Sequence, residues 1–164
     1  MTTVRSATPA DAAAVIAVRI ASWNAAYAPH LPADAWSDYD VQAATHRLAG
    51  SIAGGTLQVL VADRDGAVVG YTMFGAPRDD DITDGTSEIY AIYVHPDAWS
   101  TGAGRALMSA TVSALDDGPI VLWVLEDNDR ARGFYGQAGF TADGARKDAD
   151  MPGGPVPEVR YRRG

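Results

Sequence analysis

The chain has 164 residues, of which 47% are hydrophobic and 21% charged, as expected for one globular domain rather than a disordered segment. Its formal net charge of −8 argues against a nucleic-acid-binding protein, which needs a basic face, and suits a cationic partner. The chain has no cysteine, which excludes disulfides, thiolate nucleophiles and sulfur-ligated metals.

The first half of the chain is predicted to contain a short strand, two helices and a β-hairpin. Thr8 and Pro9 start the first helix, because threonine is a common N-cap and proline fits the first helical position. The prolines of YAPHLP end that helix, and a second helix is predicted over residues 35–49, with SIAGGT after it as a loop. In residues 57–77, two β-branched runs flank the turn sequence DRDG, which predicts a pair of antiparallel strands.

The second half is predicted to contain a strand–helix–strand unit. SEIYAIYV, residues 87–94, is rich in β-branched and aromatic residues, and a loop then leads into a helix over about residues 104–115. Residues 119–127, PIVLWVLED, are almost uniformly apolar, as in a strand buried on both faces, so the two strands are predicted to be parallel neighbours. A helix from Asn128 to Gln137 and a strand at about residues 156–162 follow. If no bulge interrupts SEIYAIYV, one of its faces carries Glu88, Tyr90, Ile92 and Val94.

These elements amount to one α/β domain over residues 1–164, with about seven strands and four helices. His30, His46 and His95 lack the spacing of metal ligands, so we predict no metal site. No apolar run approaches the length of a membrane span, and the first residues do not resemble a signal peptide, so we predict a cytoplasmic protein without a membrane partner. An exposed edge strand would allow a homodimer.

The glycine-containing loop in HPDAWSTGAGRALM, residues 95–108, has two interpretations. A helix that begins at glycines presents unpaired N–H groups and the positive end of its dipole, which suit a pyrophosphate. Such glycines are also common at purely structural turns between a strand and a helix. The dinucleotide-binding pattern fails because its third glycine would fall at Leu107, and no Walker lysine follows. The loop alone therefore leaves a phosphate site and a structural turn open.

Two sequence blocks together resemble the GNAT family of acetyl-CoA-dependent N-acetyltransferases. In the first, VHPDAWSTGAGRALM, a strand leads through a loop similar to Q/R-x-x-G-x-G/A into a helix. The second, EDNDRARGFYGQAGF, has an asparagine, a helix that carries Phe-Tyr, and then Gly-Phe. The resemblance implies a mixed, splayed central sheet of about seven strands flanked by about four helices. It also implies acetyl-CoA as cosubstrate, a primary amine as acceptor and no metal.

The resemblance assigns the cofactor side of the site. In the family the loop binds the pyrophosphate mainly through backbone N–H groups, and the asparagine contacts the pantetheine arm. Backbone groups of the splayed strand bind pantetheine and the thioester oxygen. Trp99 departs from the family's Gln/Arg, and Ser100 stands where a glycine is common, so the Trp99 side chain has no assigned role. Asn128 also suits a plain helix cap, and Arg105 a solvated helix position. The predicted cofactor-binding residues are Ile92, Val94, Trp99, Ser100, Gly102, Ala103, Gly104, Arg105 and Asn128.

Tyr135 and Glu88 are the predicted catalytic residues. Seven positions separate Asn128 from Tyr135, so both lie on one helix face, and in the family the tyrosine lies near the cofactor sulfur. A phenol has a pKa of about 10 and a thiol one of about 8.5, so the tyrosine can protonate the leaving thiolate. Glu88 is the candidate base, because an amine with a pKa of about 10.4 must lose a proton before it attacks. The alternatives are a buried aromatic residue and a surface glutamate.

In the family, the first helix and the loop after it usually cover the acceptor site. Trp23 and Tyr27 are assigned to this side, although their spacing of four residues also suits core contacts. Two other functions stay open: a non-catalytic acyl-CoA-binding or sensing module, and transfer of a different acyl group. An acidic loop could attract a cationic amine or be simply solvated, and it contains Asp79, Asp80, Asp81 and Asp84.

Overall fold

A computed structural model describes residues 1–83 and 85–164, so Asp84 of the predicted acidic loop lies outside the described residues. Within these ranges the chain forms seven strands and four α-helices, together with short 3₁₀ turns. The elements in chain order are β1 (Thr2–Ser6), α1 (Ala12–Tyr27), α2 (Val41–Ala53), β2 (Gln58–Arg64), β3 (Ala67–Gly75), β4 (Ser87–Val94), α3 (Ala103–Ala114), β5 (Ile120–Leu125), α4 (Asp129–Gln137), β6 (Thr141–Met151) and β7 (Gly154–Arg163). No helix of the described ranges is both long enough and apolar enough to cross a membrane.

The strands form one sheet in the order β1-β2-β3-β4-β5-β7-β6. β4 and β5 pair in parallel, as predicted, and every other pair of neighbours is antiparallel. The β2–β3 hairpin turns at Asp65 and Gly66, which both have positive φ, as a two-residue hairpin turn requires. The predicted mixed α/β fold is therefore confirmed.

Two elements differ from the sequence prediction. The second helix begins at Val41 and not at residue 35, because the Asp40 carboxylate caps it by accepting the N–H of Ala43 at 2.9 Å. It continues through Ala53, so the first half of the predicted SIAGGT loop is helical. β6 was not predicted, because its sequence TADGARKDADM is polar throughout and the strand pairs only with β7.

Each face of the sheet carries its own apolar core. The face under α3 and α4 includes Ile89, Ile92, Leu107, Leu122, Tyr135 and Phe140. The face under α1 and α2 includes Val15, Ile16, Leu48, Val61 and Tyr71. Tyr90, Ala91 and Tyr93 of β4 pack against this second core, so β4 contributes to both.

A β-bulge and an early end to pairing separate β4 from β5. Met73 of β3 pairs with Ala91 while Phe74 pairs with Ile89, so Tyr90 is an extra residue in β4. The bulge breaks the predicted alternation, because Tyr90 packs on one face whereas Ile92 packs on the other. The β4–β5 ladder ends at Ile89, while β5 continues to pair with β7 as far as Leu125. The two strands therefore diverge and leave a gap in the sheet.

Arg160 of β7 connects the loop after β3 to β6 and β7, which lie on the other side of this gap. Its guanidinium donates to Asp81 at 2.7 Å through two nitrogens, to Asp79 at 3.0 Å and to Asp143 at 2.7 Å. The residue is only 6% exposed. This attraction holds the pKa of the Asp81 carboxyl below its usual range. Asp79 and Asp81 of the acidic loop predicted to attract substrate are thus engaged in a structural ion-pair cluster.

Replacing Arg160 with methionine should destabilise the fold. The substitution leaves Asp79 and Asp143 partly buried without their counter-charge, which costs about 2–3 kcal/mol of unfolding free energy. Urea unfolding monitored by circular dichroism measures this loss. Arg162→Met, two residues further on the same strand, removes a hydrogen bond only to the Gly164 carbonyl and is the matched control. Equal stability of the two variants would contradict the prediction.

Candidate active site

A cleft of about 2140 Å³ opens where β4 and β5 diverge. It runs from the loop before α3, through the gap in the sheet, to the side covered by α1 and the β6–β7 hairpin. Most of the residues predicted from the sequence line it, namely Trp23, Tyr27, Ile92, Val94, Trp99, Ser100, Gly102, Gly104, Arg105, Asn128 and Tyr135. Ala103 is buried at the start of α3.

The backbone of β4 supplies polar groups on the cleft side. The N–H of His95 donates to Val69 of β3 at 2.8 Å, so by alternation Ile92 and Val94 direct their backbone groups away from β3. On that side β5 pairs with β4 only as far as Ile89. The Val94 carbonyl accepts hydrogen bonds from the Trp99 indole at 2.8 Å and from the Ser22 hydroxyl at 3.2 Å. Among residues 1–83 and 85–164, no partner is found for the backbone groups of Ile92 or the N–H of Val94, so these groups can accept a ligand.

The loop before α3 has the backbone shape of an anion site. Gly102 is the N-cap residue with φ of 92°, and Ser100 also has a positive φ. A side chain on Gly102 would meet no atom within 4 Å, so glycine is required there for its conformation and not for space. At Gly104, by contrast, a Cβ would lie 3.3 Å from Phe134 of α4, so this glycine permits close packing. The first N–H groups of α3 face the cleft with the positive end of the helix dipole.

Trp99 of this loop, whose side chain had no assigned role, makes two contacts. Its indole N–H binds the Val94 carbonyl, which fixes the loop to the end of β4. Its ring also carries the guanidinium of Arg130, whose Cζ lies 4.0 Å from the ring centroid. Arg130 is exposed at the start of α4 and lines the cleft. Sequence analysis missed Arg130, because the stack joins two segments that are about 30 residues apart.

α4 presents Asn128 and Tyr135 to the cleft. The Asn128 side-chain oxygen accepts the N–H of Ala131 at 3.1 Å, so this residue is a helix cap, and it also lines the cleft. Tyr135 is 9% exposed, with its ring among Phe134, Phe140 and Tyr161. Within the described ranges, its hydroxyl makes no hydrogen bond to the protein. Burial raises the pKa of the Tyr135 phenol, which keeps it protonated at neutral pH.

Glu88 is placed differently from the expectation of a carboxylate that faces the acceptor. It is 1% exposed and does not line the cleft. Arg78 engages both carboxylate oxygens, through its backbone N–H at 2.8 Å and its side chain at 2.7 and 3.2 Å. The Arg78 guanidinium, which lies 4.7 Å from the Tyr90 ring centroid, is the member of this pair that lines the cleft.

Aromatic residues line the opposite end of the cleft. The Trp23 ring lies 4.8 Å from that of Trp36 and 5.6 Å from that of Tyr39, so it belongs partly to a packed cluster. Burial raises the pKa of the Tyr27 phenol, and the nearby Tyr93 and Glu158 raise it further. Tyr27, Tyr93 and Glu158 all line the cleft. His30 Nε2 lies 2.8 Å from an oxygen of Asp127, which joins the end of α1 to the loop before α4.

Glu158 of β7 is a second cleft residue that sequence analysis missed. It is half-buried, and burial raises the pKa of its carboxyl. Within the described ranges it forms neither a hydrogen bond nor an ion pair. In the sequence it is one of several charges in EVRYRR, so nothing local distinguishes it. Residues 1–83 and 85–164 contain no group of three or more acidic or histidine side chains arranged to hold a metal ion.

Comparison with known families agrees with this geometry. The family model described as "Acetyltransferase (GNAT) family" matches residues 18–140. An uncharacterized N-acetyltransferase of Mycobacterium tuberculosis is 36% identical over 91 residues, which are 54% of this chain and 55% of that protein. The L-amino acid N-acyltransferase MnaT of Escherichia coli is 35% identical over 118 residues, or 70% of this chain and 63% of the relative. The alignments thus span little more than half the length of the curated relatives.

Solved structures share the fold over nearly the whole chain. PaiA N-acetyltransferase from Thermoplasma acidophilum, in complex with coenzyme A, superposes with a TM-score of 0.75 at 17% identity, covering 99% of this chain and 98% of that one. The protein yncA from Salmonella typhimurium, solved with its cofactor acetyl-CoA, gives a TM-score of 0.69 at 26% identity, covering 98% and 92%.

Proposed function

Because the chain belongs to the GNAT acetyltransferase family, we propose that it transfers the acetyl group of acetyl-CoA to a primary amine bound in the cleft. The observation that carries this proposal is the gap between β4 and β5. It connects the glycine loop before α3 with the aromatic end under α1, and it exposes backbone groups of β4 on the way. A long cosubstrate on one side and an amine on the other can therefore meet inside the sheet.

The residues present fit acetyl-CoA. The N–H groups at the start of α3 would hold its pyrophosphate, and the free backbone groups of Ile92 and Val94 would pair with the amides of its pantetheine arm. The Asn128 side chain lies beside that path. When bound, the cosubstrate supplies an acetyl group activated as a thioester. This assignment of acetyl-CoA contacts to individual residues extends the assignments based on the GNAT resemblance.

Arg130 supplies local positive charge that the acidic chain otherwise lacks. The loop position that is Gln or Arg in the family pattern is Trp99 here, and Trp99 carries the Arg130 guanidinium on its ring. We assign Arg130 to a CoA phosphate, with Trp99 as the residue that positions it. Arg105, which is exposed one position after Gly104, is a second source of positive charge.

Tyr135 is assigned as the group that protonates the leaving sulfur. Its raised pKa ensures that the hydroxyl carries a proton to donate. The apolar ring cluster around it also disfavours a free thiolate, which favours protonation of the leaving sulfur. A backbone N–H at Ile92 or Val94 is assigned to the thioester oxygen.

The acceptor is proposed to be a small primary amine. The relative named an L-amino acid N-acyltransferase supports a small molecule, and the aromatic end of the cleft offers flat apolar walls. One observation favours a second candidate, a non-catalytic acyl-CoA sensor: Glu88, the candidate base, is fully engaged by Arg78. Transfer of a different acyl group is a third candidate.

The pure protein should release free thiol from acetyl-CoA in the presence of a panel of amino acids, polyamines and simple alkylamines. Thiol release measured with a chromogenic disulfide, together with mass spectrometry of the acetylated amine, tests the proposed function. Binding of CoA by calorimetry without turnover on any amine would support the sensor. Faster turnover with propionyl- or succinyl-CoA would support a different acyl group.

Tyr135→Phe should lower kcat about 100-fold while KM for acetyl-CoA stays within about twofold, because the variant keeps the ring and loses only the proton donor. Steady-state kinetics on the best amine of the panel measures both constants. Tyr161→Phe is the matched control, since the Tyr161 ring packs in the same cluster while its hydroxyl accepts a hydrogen bond from Arg132. An unchanged kcat in Tyr135→Phe would contradict the assignment.

Arg130→Gln should raise KM for acetyl-CoA about tenfold and reduce its dependence on salt, because one charged contact to a phosphate is lost. Arg47→Gln removes the same charge from the exposed surface of α2 and should leave KM unchanged. Trp99→Ala should resemble Arg130→Gln, since it removes the ring on which the guanidinium rests. If the two arginine variants gave the same KM, Arg130 would not be a phosphate ligand.

A further inference from the structure

We propose that Glu158 binds the ammonium group of the acceptor and removes its proton. This inference rests on the proposed acetyl transfer and names the acceptor side of the same site. It commits the acceptor to a group that is cationic at neutral pH, a primary ammonium. The residues assigned by resemblance do not include Glu158.

The register of the sheet places Glu158 beside the gap. It pairs with Leu125, the last residue of β5, on one side and with Lys147 of β6 on the other. Directly paired residues of antiparallel strands direct their side chains to the same face, so Glu158, Leu125 and Lys147 share a face. β4 has already diverged from β5 at this level, because its pairing ended at Ile89. Glu158 therefore borders the opening through which an amine reaches the middle of the sheet.

Glu158 and Tyr135 line the same cleft from opposite faces of the sheet. Both line the cleft, together with the half-buried Tyr27 at its aromatic end. Tyr135 belongs to the core under α3 and α4, as does Val124 of β5. Leu125, which follows Val124, faces the other side of the sheet by alternation, and Glu158 shares that face with Leu125. A proton acceptor at Glu158 and a proton donor at Tyr135 thus stand on either side of the gap, as expected for an amine that approaches from one side and a sulfur that departs on the other.

Glu158 is also available, because it is half-buried and unpaired, whereas the other carboxylates of the described residues that line the cleft are exposed. Glu88 is held by Arg78, and Asp127 by His30. Asp79 and Asp143 are held by Arg160. In the described part of the chain, Glu158 has no such partner, so its oxygens are free to accept hydrogen bonds from an ammonium.

Burial and the nearby charges affect the pKa of Glu158 in opposite directions. Lys147 and Arg78 face it and favour its ionised form, but burial outweighs them and raises its pKa above the usual range of a glutamate. The Lys147 ammonium is drawn aside, since it lies 4.1 Å from the Trp123 ring centroid. A carboxylate whose pKa is raised toward neutrality is a better general base than an exposed one.

The proton balance of the reaction is complete with these two residues. Glu158 takes one proton from the ammonium and later gives it to water. The neutral amine then forms a bond to the acetyl carbon, and the carbon–sulfur bond breaks with its electron pair on sulfur. Sulfur takes the proton of Tyr135, and the second proton leaving the nitrogen restores the phenol. The products are an amide, a free thiol and one released proton.

Glu158→Gln should lower kcat about 100-fold at pH 7 on an amine accepted by the wild type, with KM for acetyl-CoA within about twofold. In the wild type, kcat/KM should rise with pH as Glu158 ionises, and the midpoint of this acid limb should lie above the usual glutamate pKa of about 4.3. That limb should be absent in Glu158→Gln, whose rate should instead follow deprotonation of the free amine. Glu158→Asp should retain part of the activity. Glu126→Gln is the matched control, because Glu126 is paired with Arg146 and does not line the cleft.

A readout independent of turnover is the melting temperature. The folded pKa of Glu158 is raised, so its ionisation destabilises the folded state above the unfolded pKa and has no effect well below it. Glu158→Gln should therefore melt higher than the wild type at pH 7 but equally at pH 3.5, and calorimetry should show unchanged CoA binding. This result would also show that the variant is folded.

The outcomes separate this inference from the proposed function. A wild type that transfers acetyl to no amine overturns the proposed function itself. A wild type that is active, with Glu158→Gln within about twofold of its kcat and with the same acid limb, overturns the role of Glu158 and leaves the acetyltransferase intact. Loss of activity in Glu126→Gln equal to that in Glu158→Gln would also overturn it.

Discussion

The early end of the β4–β5 ladder is the constraint on which the rest of the structure depends. Only Ser87–Ile89 pair with β5, and the extra residue Tyr90 then turns the remainder of β4 away. A continuous sheet would satisfy the backbone of β4 with the backbone of β5 and would leave no passage between the two faces. The divergence converts backbone groups that are normally structural into groups that can bind a ligand. The cleft, the position of Tyr135 and the position of Glu158 all follow from it.

Polar side chains compensate for the missing strand contacts. Trp99 and Ser22 satisfy the Val94 carbonyl at the wide end of the gap, and Arg160 draws three aspartates together across the other side. Unpaired backbone groups in a buried setting are costly, so Trp99 and Ser22 offset part of the cost of the opening, while Arg160 neutralises partly buried aspartates. The departure from the family pattern at Trp99 is consistent with this, since the indole supports the loop and an arginine from α4 supplies the charge.

The sequence predicted the elements with strong local signals and missed features that depend on tertiary contacts. The DRDG turn and the apolar PIVLWVL strand identified their elements, and the glycine loop and the α4 block carried the resemblance to the family whose model matches the chain. The predicted start of α2 was wrong. Trp36 and Tyr39 have helical spacing in the sequence, but in the structure they precede the helix and pack against Trp23. Neither the composition nor the hydrophobic pattern of the sequence marks the bulge at Tyr90. What distinguishes Glu158 from Glu88 is that Arg78 binds the Glu88 carboxylate, whereas Glu158 has no such partner among the described residues; neither fact is visible in the local sequence pattern.

The two faces of the gap are held by forces of different kinds. Under α3 and α4 one apolar core bridges it, since that core includes Ile92 of β4 and Val124 of β5. Under α1 and α2, the apolar core of the described residues draws on β2, β3 and β4, and the ion pairs of Arg160 with Asp79 and Asp81 connect the loop after β3 to β7. Water readily replaces ionic contacts at a surface, whereas parting an apolar core exposes hydrophobic area. The two halves of the sheet are therefore joined by hydrophobic contacts on the face under α3 and α4, whereas the polar contacts between them are ones that ionic strength can weaken.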